Sequence, residues 1–102
     1  MAKRTIVWTE LAIRQRRNVF HYWNVRNESS KYSKWLLKEV KARLFVVANF
    51  PEIGKRTDIP DVRVLIFENY SIFYSFDDFK IKVLMFWDDR QNPIFRGGIN
   101  PL

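Results

Sequence analysis

Between Val62 and Asn92 the chain carries three consecutive strand-like runs, VRVLIF, YSIFYSF and KIKVLMFWD, separated by the polar pairs Glu68-Asn69 and Asp77-Asp78. Alternating runs joined by two-residue polar breaks specify an antiparallel meander. A slip of one residue would turn a whole strand over, so this pattern constrains the rest of the chain more than any other. What lies upstream has to cover one face of the sheet. The other face is left for function.

The upstream pieces fit that demand. Lys3 to Trp8 (KRTIVW) reads as a short first strand that pairs within the same sheet, with Ile6 and Trp8 on one side. Thr9 is placed to cap a helix, and Glu10 sits at the positive end of its dipole. Along that helix Leu11 or Ala12, Arg16, Val19, Phe20 and Trp23 recur at three- and four-residue spacing, until Arg26-Asn27-Glu28-Ser29 breaks the pattern. Ser29 or Ser30 can cap a second helix, whose Tyr32, Leu36, Val40, Leu44 and Val47 hold the period until Pro51 ends it. Lys34, Lys38, Lys41 and Arg43 fall mostly off that stripe, as a solvated face does. The run from Phe50 to Pro60 is a loop, with Gly54 a natural position for positive φ.

The order strand, helix, helix, three strands gives an α+β domain: an N-terminal strand, a helical hairpin and a three-stranded antiparallel meander (β-α-α-β-β-β), the helices packed on one face. At 102 residues, 47% hydrophobic and 17% aromatic, the chain builds one core, here residues 1–93 with a short tail at 94–102. No apolar run is long enough to span a bilayer or to serve as a signal peptide, which places the protein in the cytoplasm without a membrane partner. Zero cysteines and a single histidine, His21, argue against a metal centre, and no cofactor motif is present. Eighteen Lys and Arg against eleven Asp and Glu give a charge of +7, a field that attracts nucleic acid or an acidic protein segment. His21 reads as a surface or boundary side chain without chemistry.

With both polar pairs as two-residue hairpin loops, Phe67 pairs with Tyr70 and Phe76 with Phe79. Leu65, Tyr70, Ile72, Tyr74, Ile81, Val83, Met85 and Trp87 then share an apolar face for the helices. The opposite face carries Ser71, Phe73, Ser75, Lys80, Lys82, Leu84, Phe86 and Asp88, and is the candidate binding surface. Arg63 is ambiguous by one residue of register, and the cost of burying an arginine favours the open face.

Several segments resemble the RelE/ParE superfamily of bacterial toxins over about Ile6 to Pro93. They are Pro51-x-x-Gly54, Val62-Arg63, Asn69-Tyr70-Ser71-Ile72-Phe73-Tyr74, and Trp87-Asp88-Asp89-Arg90-Gln91-Asn92-Pro93. The resemblance implies the toxin of a type II toxin-antitoxin module, silenced in a hetero-oligomer by a cognate acidic antitoxin. Phe73 and Phe86 on the sheet, with the outer sides of both helices, are the expected antitoxin anchors. Ordinary core packing is an equally good reading of Phe86.

The superfamily divides by target. RelE-type members cleave messenger RNA on the ribosome, and that activity would rest here on Arg63 and Arg90, with Tyr70 or Tyr74 assisting proton transfer and Lys55, Arg56, Lys80 and Lys82 holding nucleic acid. Against it, Ser71 stands where RelE-type members carry an arginine, Asp88 stands where many carry a histidine, and a terminal His-Tyr pair is missing. The Asp-x-Arg-Gln-Asn-Pro ending looks more like ParE-type members, which inhibit DNA gyrase by binding. The resemblance therefore implies a ParE-like gyrase inhibitor without catalysis, with a RelE-like endoribonuclease as the alternative.

Overall fold

The computed structural model describes residues 4–90. The elements run β1 (Thr5–Trp8), α1 (Glu10–Asn27), α2 (Lys31–Asn49), β2 (Lys55–Arg56), β3 (Arg63–Phe67), β4 (Tyr70–Phe76) and β5 (Lys80–Asp88), with a single 3-10 turn at Pro51–Ile53. They form one mixed sheet in the order β1-β5-β4-β3-β2. β1 runs parallel to β5 and the other pairs are antiparallel. The expected strand-helix-helix-meander order is present, with a two-residue strand added inside the segment read as loop. The expected tail, and Gln91-Asn92-Pro93, lie outside the described residues.

Both helices begin and end for local reasons. The Thr9 hydroxyl accepts from Ala12 N–H at 3.1 Å, and the Ser29 hydroxyl accepts from Lys31 N–H at 3.2 Å. α1 stops at Glu28, whose φ of 51° puts it in the left-handed region. α2 stops two residues before Pro51, which cannot continue a helix. Their apolar stripes bury Ala12, Val19, Leu36, Val40 and Leu44 against Phe67, Tyr70, Ile72, Val83 and Phe86 of the sheet. That layer is the main core. The two helices are also tied directly, since the Ser33 hydroxyl bonds Phe20 C=O and Asn24 Oδ1.

The sheet departs from plain alternation at one place. Tyr74 pairs with Val83 but Phe73 pairs with Met85, so Leu84 is an extra residue and β5 turns over beyond it. Ile81 and Val83 face the helices as expected. Past the bulge Phe86 and Asp88 face the helices as well, opposite Ile72 and Tyr70, while Met85 and Trp87 move to the far side with Phe73 and Ser71. The expected assignment of Phe86 and Asp88 to the open face, and of Met85 and Trp87 to the covered one, is thereby reversed. The far face is not an open polar surface at its centre either. Val64, Phe73 and Met85 form a second apolar cluster flanked by Val62, Leu84 and Trp87, and Phe73 and Ser71 are fully buried.

β5 is longer than its neighbour β1, and α1 deals with the difference. Beyond Trp8 the outer edge of β5 meets the start of α1, where the Thr9 hydroxyl donates to Leu84 C=O at 3.2 Å and Gln15 Oε1 accepts from Phe86 N–H at 2.8 Å. Backbone groups that a strand would have paired are satisfied by side chains instead.

The two hairpins differ: the first keeps the expected two-residue turn and the second is wider. Phe67 pairs with Tyr70 across Glu68-Asn69, as expected, with positive φ at Glu68. Phe76 pairs with Ile81 rather than Phe79, because Asp77 Oδ1 collects the N–H groups of Phe79 and Lys80 and widens the loop. The shift is by two residues, so it leaves the faces there unchanged.

Gly54 corrects the expectation of positive φ: its φ of −70° and ψ of 156° are open to any residue. Space is what requires glycine here. An added Cβ would strike the Tyr74 hydroxyl and stand 2.8 Å from Tyr74 Cε1. Gly54→Ala is expected to destabilise the fold by about 1–3 kcal/mol in urea denaturation, the ordinary cost of overpacking. A near-neutral result would place the requirement elsewhere.

Candidate functional site

The end of the sheet where β4 begins and β5 finishes gathers charged and aromatic groups under the helical hairpin. Asp88 lies opposite Tyr70 because of the bulge at Leu84, and its side chain is 3% exposed. Arg90 follows two residues later and folds back onto it. Its backbone N–H donates to Asp88 Oδ1 at 2.9 Å, Nε donates to the same oxygen at 3.2 Å, and Nη2 donates to Oδ2 at 3.2 Å. This is a forked, charge-assisted pair. Nη2 also donates to the Tyr70 hydroxyl at 3.0 Å, and that hydroxyl shares a 3.0 Å hydrogen bond with Tyr32 on α2. The guanidinium carbon stands 4.8 Å from the Trp23 ring centroid and 5.4 Å from that of Tyr70, within cation–π range.

These contacts set the protonation states. Hydrogen bonding to Asp88 raises the Arg90 pKa further above its ordinary range, so the side chain is permanently cationic. Burial, reinforced by the hydrogen bond to Tyr32, holds the Tyr70 phenol well above its usual value of 10.0. A phenol so raised is a poor general base near neutral pH. The carboxylate that would repel a scissile phosphate is already neutralised by Arg90.

The other two catalytic candidates lie elsewhere. The Tyr74 hydroxyl donates to Pro51 C=O at 2.7 Å and accepts from Gly54 N–H at 2.9 Å, and burial raises its pKa. Arg63 pairs with Tyr74 on the helix-side pleat, beyond the end of α2, which corrects the expectation that it lies on the open face. Its Nη1 donates to Gly54 C=O at 2.8 Å and to Glu52 C=O at 3.1 Å. Together Tyr74 and Arg63 fasten the segment between α2 and β2. Tyr70 and Tyr74 are four residues apart on one strand, about 13 Å at strand rise. The structure therefore divides Arg63, Arg90, Tyr70 and Tyr74 into two separate pairs.

The basic set divides too. Lys55, Lys80 and Lys82 are exposed on the far face, with Lys55 opposite Val64 and Lys82 opposite Ser75. Arg56 faces the other way, opposite Arg63, and the two arginines line a surface groove of about 560 Å³ with Phe76. Phe73 and Phe86 are buried in different layers, so a partner cannot reach them without displacing the core. His21 is exposed on the outer side of α1, beside Asn18 and Tyr22.

Trp23 and Tyr32 were legible only as core positions, yet they complete the Arg90 cluster, and nothing in their helical spacing marks that role. Trp23 Nε1 is buried without a hydrogen-bond partner among the described residues. The Ser71 hydroxyl donates to the carboxylate of Asp89, at 2.8 and 3.0 Å from its two oxygens.

In comparison with known proteins, residues 6–93 match the family model described as "ParE toxin of type II toxin-antitoxin system, parDE". No curated protein matches the chain significantly. Among solved structures the fold is similar to a chain of the "Chromosomal ParDE TA system from P. aeruginosa", with a TM-score of 0.69 and 15% sequence identity, over 82% of this chain and 94% of that one. At that identity the likeness is one of fold.

Two measurements check the cluster. A phenol raised in the folded state stays neutral while the same group in the unfolded chain ionises near pH 10, so the stability it carries is complete below pH 10 and is lost as pH rises through the folded value. Ultraviolet titration should show Tyr70 and Tyr74 ionising later than pH 10, each late signal disappearing in the corresponding Tyr→Phe variant. Ionisation of every tyrosine in one reversible step near pH 10 would contradict the buried network. Arg90→Ala should cost about 1–2 kcal/mol, because it strands the Asp88 carboxylate while solvent tempers the loss at the exposed end of the pair. Denaturant unfolding measures it.

Proposed function

This chain belongs to the ParE toxin family of type II toxin-antitoxin systems, and from that premise we propose that it arrests growth by binding DNA gyrase, without cutting RNA. The observation that carries this reading is the division of the four candidate catalytic side chains into two pairs about 13 Å apart along β4. Metal-independent RNA cleavage needs a cation at the phosphate and a proton-transfer group within hydrogen-bond reach of the same 2′-hydroxyl. Here Arg90 is bound to Asp88 and Tyr70, Arg63 to backbone carbonyls, and both phenols are held neutral.

The cognate antitoxin is proposed to be acidic and to fold on binding. A charge of +7 speeds its capture. Its anchors would be exposed apolar groups in place of Phe73 and Phe86: the solvent side of α2 presents Trp35, Phe45 and Val46 among Lys34, Lys38 and Lys41. The site of action is the cytoplasm, where gyrase works. Among the described residues no helix is long and apolar enough to cross a membrane.

Purified toxin should block gyrase supercoiling of plasmid DNA and leave messenger RNA intact in a translating extract. Message cleavage without any effect on supercoiling would replace this reading with the ribonuclease one.

A further inference from the structure

An arginine held partly out of water needs an acceptor, and several in this chain have one. Arg4 donates to Asp77 C=O, Arg26 to the Tyr22 hydroxyl and Arg43 to the Glu39 carboxylate, while Arg63 and Arg90 have the partners named above. Arg16 is different. Its guanidinium carbon lies 4.5 Å from the Trp8 ring centroid, yet among the described residues no acceptor meets its N–H groups. The side chain is half-buried, and burial together with the neighbouring charge of Arg17 lowers its pKa from the ordinary arginine value. A cation so placed lacks the anion that would complete it.

The space for that anion lies beside it. A cleft of about 450 Å³ opens where α1 meets α2, lined by Arg16, Arg17, Phe20, His21 and Asn24 of the first helix and Leu37 of the second. Arg17, His21 and Asn24 follow at four- and three-residue spacing and form one row of α1, with Arg16 and Phe20 in the next. Asn24 Oδ1 already accepts from the Ser33 hydroxyl, so its NH2 group is what that side chain has left to offer. Among the described residues no carboxylate lines the cleft. Lys34 and Lys41, one turn either side of Leu37, add to the positive field.

This donor set suits a phosphate ester. Three free oxygens in a tetrahedral group accept from several directions at once, and the planar fork of arginine meets them two at a time. A carboxylate offers two oxygens in one plane. The cleft also exceeds what an inorganic ion fills and falls within the range of small-molecule sites. Phe20 and Leu37 supply an apolar wall against which a flat ring can lie.

We propose that the cleft between α1 and α2 binds a nucleoside phosphate, its phosphate held by Arg16, Arg17 and the Asn24 amide and its base lying against Phe20 and Leu37. His21 stands at the exposed mouth. The site is independent of the gyrase reading and of the antitoxin reading, and neither stands or falls with it.

A protein of charge +7 attracts any polyanion, so the test has to separate the cleft from the general field. Purified toxin is titrated with AMP, ATP, GTP and inorganic phosphate at about 0.15 M salt, where diffuse attraction is screened, and followed by calorimetry and by nuclear magnetic resonance. At least one nucleotide should bind about tenfold or more tightly than inorganic phosphate, because only the nucleotide uses the apolar wall. It should shift the side-chain signals of Arg16 Nε–H and Asn24 Nδ2. Arg17→Glu, at an exposed position, should weaken that nucleotide by about tenfold or more. Lys55→Glu, the same charge change on the far face of the sheet, should weaken it less than about twofold. Equal losses in the two variants overturn the proposal in favour of diffuse charge. So does a nucleotide series that binds no better than inorganic phosphate, or shifts confined to residues outside the cleft. A DNA duplex that moves the Arg16 and Asn24 signals while every nucleotide leaves them in place also overturns it, and makes the cleft a contact for the DNA backbone. Should Arg17→Glu fail to fold, as its thermal melt would show, the signal mapping on the unsubstituted protein decides.

Discussion

The extra residue at Leu84 decides what every other layer of this molecule touches. A strand with unbroken alternation would place Met85 and Trp87 under the helices and leave Phe86 and Asp88 outside. With the bulge, Phe86 stacks against Tyr70 with ring centroids 5.4 Å apart, and Asp88 comes under the hairpin where only a cation can keep it. Arg90 is that cation. The aromatic wall around it, Trp23, Tyr32 and Tyr70, then acquires its orientation from the same pair. The bulge also aligns β5 with α1, since the edge that β1 leaves uncovered is completed by Thr9 and Gln15. One insertion therefore couples the main core, the Asp88–Arg90 ion pair and the seating of the first helix.

Charge in this chain is sorted by position. Arg63 and Arg90 are committed to internal acceptors, Arg43 pairs with Glu39 at 2.8 Å while lying 3.7 Å over the Phe67 ring, and Arg16 stands 4.5 Å over Trp8. These arginines cover apolar and aromatic surface with their planar heads, a use that lysine serves poorly. The lysines at 34, 38, 41, 55, 80 and 82 are exposed. These exposed lysines contribute to the long-range field of the molecule, an arrangement suited to capturing an acidic partner.

Much of this architecture was legible in the sequence. The cap at Thr9, the start of the second helix after Ser30, the buried stripe Leu36, Val40, Leu44 and Val47, and the pairing of Phe67 with Tyr70 follow from local rules that tertiary packing did not override. The faces of β5 were not legible, because Leu84 is a good strand residue at an alternating position and carries no bulge signal such as glycine. Gly54 was read for its backbone freedom, whereas its need for small size depends on Tyr74, twenty residues away. The candidate site was legible as a set of residue types and illegible as a set of neighbours. Tyr70 and Tyr74 share a face and look like partners in one site, yet strand geometry keeps them a fixed distance apart, and their hydroxyls are taken by different elements.

That separation bears on how a small basic scaffold can come to act by binding or by catalysis. A catalytic cation must be free to exchange its ligands for a phosphate, and a proton-transfer group must sit near neutral pKa. In this chain the internal bonds of Arg63 and Tyr74 fasten the turn after α2, and those of Arg90 and Tyr70 fasten the last strand beneath the hairpin. Release of either pair to serve a substrate would expose Asp88 or loosen the segment before β2, so chemistry at these positions would compete directly with the fold. Recognition makes no such demand. Exposed lysines and the exposed apolar groups of α2 can be covered by a partner while the bonds of Arg63, Tyr74, Arg90 and Tyr70 stay in place.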